Sequence, residues 1–186
     1  MSGGSSEATD IADLVLQIGR AAYADCASGG LTQAQWIALR YFSRANRFSR
    51  NVSGFADFHA TTRGTASQTV RSLVDKGYLI RRQSARDGRS VEFDLTASAR
   101  RMLTGDPLDA VTRAAKRLGA GQQAEIESGL RAVLGEVRGE REPIGVCRLC
   151  GHLEAAGAAG NRCRLLGEPL ETQELEELCV RFQERG

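Results

Sequence analysis

Apolar positions recur along the chain with two different periods, and the change of period marks the architecture. Over residues 8–27, Ile11, Leu14, Val15, Ile18 and Ala22 return every three or four places, which predicts an amphipathic helix stopped at Gly29-Gly30. A second helix starts after Leu31. Thr32 is a capping residue, Gln35 completes a capping box, and Trp36, Leu39, Tyr41 and Phe42 form the inner side until Asn46. Ser53 is expected to cap a short helix ending near His59. Thr62 caps a longer one to Lys76, with Gly77 where left-handed backbone is favoured. Ala66, Val70, Leu73 and Val74 make its inner stripe, and the tight Ala60-Thr61 linker turns the pair into a helix-turn-helix.

The period then drops to two. Residues 78–83 and 90–95 read as strands, with Val91, Phe93 and Leu95 on one face, and their link carries Arg86-Asp87-Gly88-Arg89. A helix-turn-helix followed by a hairpin with a basic tip is a winged helix, mainly α with a small β-hairpin wing. Thr96 caps the return to helix. Gly105-Asp106-Pro107 either starts a new helix or kinks a continuous one. Ile126, Leu130, Leu134 and Val137 place a further helix on 121–138. Gly139 and Pro143 then mark a boundary, dividing the chain into 1–145 and a tail, 146–186.

Charge sharpens this picture. Residues 37–101 hold 13 Lys or Arg against 5 Asp or Glu, whereas the flanks are acidic, so the net charge of +2 conceals a basic centre. Such a block on a compact unit is the footprint of a phosphate-rich partner. Of the 25 cations, 23 are Arg; composition alone accounts for that choice but not for its placement. On the helix opposite the apolar stripe lie Arg63, Thr65, Ser67, Gln68 and Arg71, which would face the major groove, Gln68 suited to adenine and Arg71 to guanine. Thr62 and the helix N-terminus would hold a phosphate. Arg86 and Arg89 would enter the minor groove or clamp its flanking phosphates, with a salt bridge from Arg89 to Asp87 as the competing reading.

These residues carry a resemblance. Leu31-Thr32 with Gln35-Trp36, the run Leu73-Val74-Asp75-Lys76-Gly77-Tyr78-Leu79-Ile80, the wing residues Asp87-Gly88-Arg89 and the following Leu95-Thr96 resemble the MarR family of bacterial transcription regulators, over about residues 8–140. Thr69, where the family has a large apolar residue, and Ala99, in place of a common Gly, depart from the pattern. The resemblance implies a homodimer with intertwined terminal dimerisation helices, two winged helices on a pseudopalindromic double-stranded DNA operator, repression as the expected sign, and a small-molecule or redox effector. The apolar excess on 8–27, 107–118 and 121–138 agrees with a partner chain covering it.

The tail carries Cys147, Cys150, Cys163 and Cys179, while Cys26 stands apart as an expected core residue. Clustered cysteines outside an oxidising compartment point to metal or redox chemistry before disulfides. The Cys147–Cys150 spacing suits both zinc knuckles and iron–sulfur sites. The absence of a second Cys-x-x-Cys pair favours an iron–sulfur cluster, and Arg148, Arg162 and Arg164 beside the thiols would offset its charge. Zn2+ and a metal-free thiol switch remain open, as does His152 as a ligand; His59 reads as packing or solvated. Residues 171–185 show a helical stripe of Leu175, Leu178, Cys179 and Phe182, which would deliver Cys179 from a docked helix. Because the tail follows the dimerisation helices, a cofactor on it is expected to alter operator affinity through the spacing of the two heads. If the cysteines instead only stabilise, binding Zn2+, the regulator would answer to a small aromatic ligand.

Other classes fit less well. No apolar run reaches the roughly 20 residues of a membrane span. The N-terminus lacks the basic and apolar regions of a secretory signal, so the expected compartment is the cytoplasm. With two histidines and no phosphate-cradling Gly motif, catalysis is not expected; a thiol oxidoreductase using Cys147 and Cys150 would need that pair after a strand of a βαβ unit.

Overall fold

The computed structural model describes residues 3–24, 30–84, 90–155 and 160–185. Within them the chain forms α1 (Gly3–Ala22), α2 (Gln33–Arg44), α3 (Val52–Phe58), α4 (Arg63–Asp75), β1 (Leu79–Gln83), β2 (Val91–Leu95), α5 (Ala97–Met102), α6 (Asp109–Ala115) and α7 (Ala120–Arg138). The tail adds β3 (Gly145–Val146), β4 (Leu153–Ala155), β5 (Asn161–Cys163), β6 (Glu168–Leu170) and β7 (Leu178–Cys179). The winged-helix architecture, mainly helical with one small hairpin wing, is present as expected. Among the described residues no helix is long and apolar enough to cross a membrane.

Local hydrogen bonds explain the helix boundaries. Thr32 Oγ1 accepts the Gln35 amide at 3.3 Å while Gln35 Oε1 accepts the Thr32 amide at 3.0 Å, the expected capping box. Thr62 caps α4 and Thr96 caps α5 with the side-chain acceptor alone, without the return bond of a box. At the other end of α4, Gly77 takes φ +72°, so the Gly77 and Tyr78 amides close back on Val74 and Leu73, each at 2.9 Å. The cap of α3 is Asn51 rather than Ser53: its Oδ1 accepts the Gly54 amide at 2.9 Å, because Asn51 already has the extended backbone of a cap. Asp106 accepts the Leu108 amide at 2.9 Å and pairs with Arg40, so α6 is a new helix and not the continuation of a kinked one.

The core lies under α2. Leu39, Tyr41 and Phe42 are buried against Phe55 of α3, Ala66, Val70 and Leu73 of α4, and Phe93 and Leu95 of β2. Tyr41 and Phe42 meet edge to face at 5.2 Å. The Tyr41 hydroxyl donates to the Ser49 carbonyl at 2.5 Å, and burial pushes its pKa far up, so it stays a donor. The wing strands pair antiparallel from Leu79↔Leu95 to Gln83↔Val91, and the Phe93 amide extends the ladder to the Arg50 carbonyl at 2.8 Å. Outside this core, α1 leaves Ile11, Leu14, Val15 and Ile18 exposed, and α7 leaves Ile126, Leu130, Leu134 and Val137 exposed.

The tail differs from its expected form. Residues 172–176 make a short 3-10 turn and 178–179 a strand, with no α-helix over 171–185. The helical spacing of Leu175, Leu178, Cys179 and Phe182 misleads because strand pairing and turns bury Cys179 and Phe182. β7 pairs with β3 through Gly145↔Cys179, and the Phe182 ring lies 2.7 Å from where a Cβ on Gly145 would stand. β4, β5 and β6 form a separate antiparallel sheet with Leu153↔Cys163 in register.

Gly54 tests the core packing. A Cβ there would stand 2.6 Å from the Ser49 carbonyl and on the Tyr41 hydroxyl, both fixed by their own bond. Gly54→Ala should lower stability by about 1–3 kcal/mol in urea unfolding; an unchanged midpoint would refute this packing.

Candidate nucleic-acid interface and thiol site

The two helices of the helix-turn-helix are joined through Ala60, a non-glycine residue at φ +51°. Just before the turn, His59 stacks on Phe55 at 5.5 Å, and its burial lowers its pKa; it is a packing residue, as read. The Thr62 hydroxyl accepts the Thr65 amide at 3.1 Å and lies 3.0 Å from the Thr65 hydroxyl. Thr62 therefore acts first as the cap of α4, with the amides of Arg63 and Gly64 left without helical partners.

Beyond that cap, Arg63, Thr65, Gln68 and Arg71 are exposed along α4, and Ser67 is half-buried on its flank. Among the described residues the side chains of Arg63, Gln68 and Arg71 make no hydrogen bond or ion pair. On the wing, Arg81 is exposed and Arg82 bonds Asp94 at 2.7 Å. Arg86 and Arg89 lie outside the described residues. An open cavity of about 820 Å³ separates α4 from the wing, with Arg63, Ser67 and Arg71 on one wall, Arg81 and Phe93 on another, and Val180 and Arg181 of the tail at its edge.

Not every arginine of the basic stretch faces outward. Arg47 bonds Glu174 at 2.7 Å and the Pro169 carbonyl at 2.7 Å. Arg50 donates to the Ala45 carbonyl at 2.7 Å and reaches Asp94 and Glu177 at 3.3 and 3.2 Å. Burial holds the Glu177 pKa above the usual carboxylate range, and nearby Arg50 offsets only part of that rise. Both arginines therefore bind the tail to the segment between α2 and α3.

The four expected cysteines come together. Cys147, Cys150, Cys163 and Cys179 all line one small cavity, with Asn46, Phe48 and His152 also on its wall. The Cys150 amide closes a tight turn on the Cys147 carbonyl at 3.0 Å, β5 brings in Cys163, and β7 rather than a helix brings in Cys179. The Cys147 thiol donates to Cys179, which lowers the Cys179 pKa and, with burial, raises that of Cys147. The Arg181 amide adds a bond to Cys179 Sγ at 3.4 Å. Among the described residues no three His, Cys, Asp or Glu side chains form a ready-made ion-binding group, so the thiols share a cavity without closing to ligand distance. Cys26 lies outside the described residues.

The tail docks on the winged helix itself. The Asn46 amide bonds the Leu178 carbonyl at 2.8 Å, Ala45 bridges Leu178, and the Val180 amide reaches Ser49 Oγ at 3.2 Å. Asn46 is fully buried; its Nδ2 donates to Cys147 Sγ at 3.5 Å, while its Oδ1 has no partner. The tail, which follows α7 in the chain as expected, thus also packs on the segment between α2 and α3. Sequence reading missed Asn46 and Ser49; the one signal was a polar pair flanking Arg47-Phe48 just where α2 gives out.

A model described as MarR family matches residues 29–90. Among solved structures, the fold is similar to that of S. aureus MepR in its DNA-binding conformation, with TM-score 0.62, 17% identity and coverage of 70% of this chain and 98% of that one. It is also similar to an S. aureus MepR–DNA complex, with TM-score 0.58, 18% identity and coverage of 68% and 93%. A MarR transcriptional regulator from Methanosarcina mazei Go1 matches with TM-score 0.54, 19% identity and coverage of 72% and 96%. No curated protein matches the chain. At these identities the likeness shows a shared winged-helix fold.

The hydrogen bond from Cys147 lowers the Cys179 pKa to about 6, which makes its protonation state measurable. Metal-free protein at neutral pH should show one tail thiolate by ultraviolet absorbance, lost in Cys179→Ser. Four protonated tail thiols would contradict the pairing.

Proposed function

We propose that this chain is a DNA-binding transcription regulator of the MarR type whose operator affinity is modulated by a metal cofactor on Cys147, Cys150, Cys163 and Cys179. The observation that carries the reading is the face of α4. Arg63, Gln68 and Arg71 stand exposed and unpartnered on a fold shared with a protein solved on DNA. Gln68 is suited to an adenine edge and Arg71 to a guanine edge, with Thr65 and half-buried Ser67 beside them. Arg63 and the free amides at the start of α4 suit a phosphate. Arg86 and Arg89 are assigned to the minor groove by their place in the sequence. Exposed stripes on α1 and α7 support a homodimer, which would set two α4 helices about one duplex turn apart on a pseudopalindromic site.

The uneven cysteine spacing supports an iron–sulfur cluster as the cofactor. One observation favours a second reading, Zn2+. The cavity between the thiols measures about 10 Å³, room for a single ion-sized occupant. In either case the thiolates supply four ligands, and Asn46 Nδ2 holds Cys147 from outside the ligand set. Loading would firm the tail against residues 45–50, which lead directly into the Asn51 cap of α3. The cofactor would thus act on the reading head without first changing the spacing of the dimer.

Gel shifts in rising salt and anaerobic purification test the two halves. Arg71→Ala should cost about 1–3 kcal/mol on the operator and relax preference at one base pair. A monomer that ignores duplex DNA at low salt would end the regulator reading. Metal and sulfide analysis should find either a coloured protein with acid-labile sulfide or a colourless one with one zinc per chain. A chain that holds neither would end the cofactor reading.

A further inference from the structure

We propose that Arg181, carried by the cysteine tail, is an additional contact to the phosphodiester backbone of bound duplex. The inference rests on the DNA-binding reading above. It begins with the tail's arginines. Arg148 bonds Glu176, Arg162 the Gly167 carbonyl, Arg164 the Gly151 carbonyl, and Arg185 the Cys150 and Arg148 carbonyls. Among the described residues from 146 onward, Arg181 alone has a guanidinium with no acceptor, and it is exposed.

Its backbone, by contrast, is held. Val180 lies 3.4 Å from where a Cβ on Gly54 of α3 would stand, and its amide bonds Ser49 Oγ at 3.2 Å. The Arg181 amide bonds Cys179 Sγ at 3.4 Å. These anchors set Arg181 among the residues that line the cavity bounded by α3, α4 and the wing, together with Arg63, Arg71 and Arg81. Among the described residues of the lining, Asp57 is the single carboxylate against four arginines, so that lining is cationic.

The location selects the occupant. A winged helix places its recognition helix in the major groove and its wing in the neighbouring minor groove. What separates those grooves is a sugar–phosphate strand, so the cleft between helix and wing is where that strand passes. A free guanidinium on the rim of that cleft suits a phosphate oxygen, which it binds without reading sequence. The contact also sits two residues from a thiol of the metal site, so the tail takes part in DNA binding as well as in holding a cofactor.

Salt-dependent affinity of the full-length protein provides the test, on operator and on random duplex, with Arg181→Ala, Arg181→Lys and Arg71→Ala in parallel. Arg181→Ala should weaken both duplexes by a similar factor, several-fold or more, and reduce the salt slope by about one, as loss of a single phosphate contact does. Arg181→Lys should restore most of the slope. Equal melting temperatures for the two Arg181 variants would show that the exposed position leaves the fold intact. Wild-type affinity and slope in Arg181→Ala, with Arg71→Ala still impaired, would overturn the inference and leave the regulator reading standing. Equal loss in the Ala and Lys variants at an unchanged slope would overturn it too. Failure of wild type to bind any duplex would instead remove the reading on which it rests.

Discussion

The tail depends on its docking against residues 45–50. It spans some forty residues of very short strands around a small core of Cys147, Leu170 and Cys179, too little apolar surface to stand alone without a staple. The winged helix supplies what is missing. It offers a backbone bridge from Ala45 and Asn46 to Leu178, and two arginines that meet Glu174 and Glu177. Exposed ion pairs contribute little each, and the Arg47 and Arg50 pairs are only partly buried. The backbone bonds and the buried Asn46 amide are therefore the firmer links. Metal ligation by four thiolates would add the staple that small metallodomains use.

That docking divides the basic stretch into two populations. Arg40, Arg47, Arg50 and Arg82 are committed to carboxylates of the protein, while Arg63, Arg71 and Arg81 are not. The count of 13 cations against 5 anions over 37–101 marks where the winged helix lies, but overstates how many of them are free of partners within the protein. What distinguishes the groups is three-dimensional. Arg40, Arg47 and Arg50 face acidic residues from distant parts of the chain, which no local window contains, whereas Arg82 meets Asp94 across the wing hairpin.

Legibility followed the range of the interaction. The caps at Thr32, Thr62 and Thr96, the stop at Gly77 and the alternation of 91–95 are decided within four residues, and each reads correctly. Asn51 displaced Ser53 because both are good caps two places apart, and only the backbone entering α3 chooses between them. The tail's second half was misread for a different reason. Leu175, Leu178, Cys179 and Phe182 obey a helical period, yet β7 finds β3 more than thirty residues upstream and Phe182 finds the open face of Gly145. The convergence of the four cysteines was legible from their number. The participation of Asn46, 101 residues from Cys147, was not.

The same connections bear on how a cofactor would communicate with DNA. In a winged-helix dimer, affinity is sensitive both to the separation of the heads and to the internal order of each head. Here the thiol cavity touches Asn46, Asn46 lies five residues before the cap of α3, and α3 packs on α4. Any change in the packing of Cys147 or Cys179 is thus felt first by Asn46, Ser49 and the strand-like segment that bonds β2 at Phe93. A cofactor there need favour only one ordering of a short segment, and a differential of a few kcal/mol is enough to move such an equilibrium across most of its range. The route through the head is the shorter physical connection. The exposed apolar stripes of α1 and α7 take no part in that route.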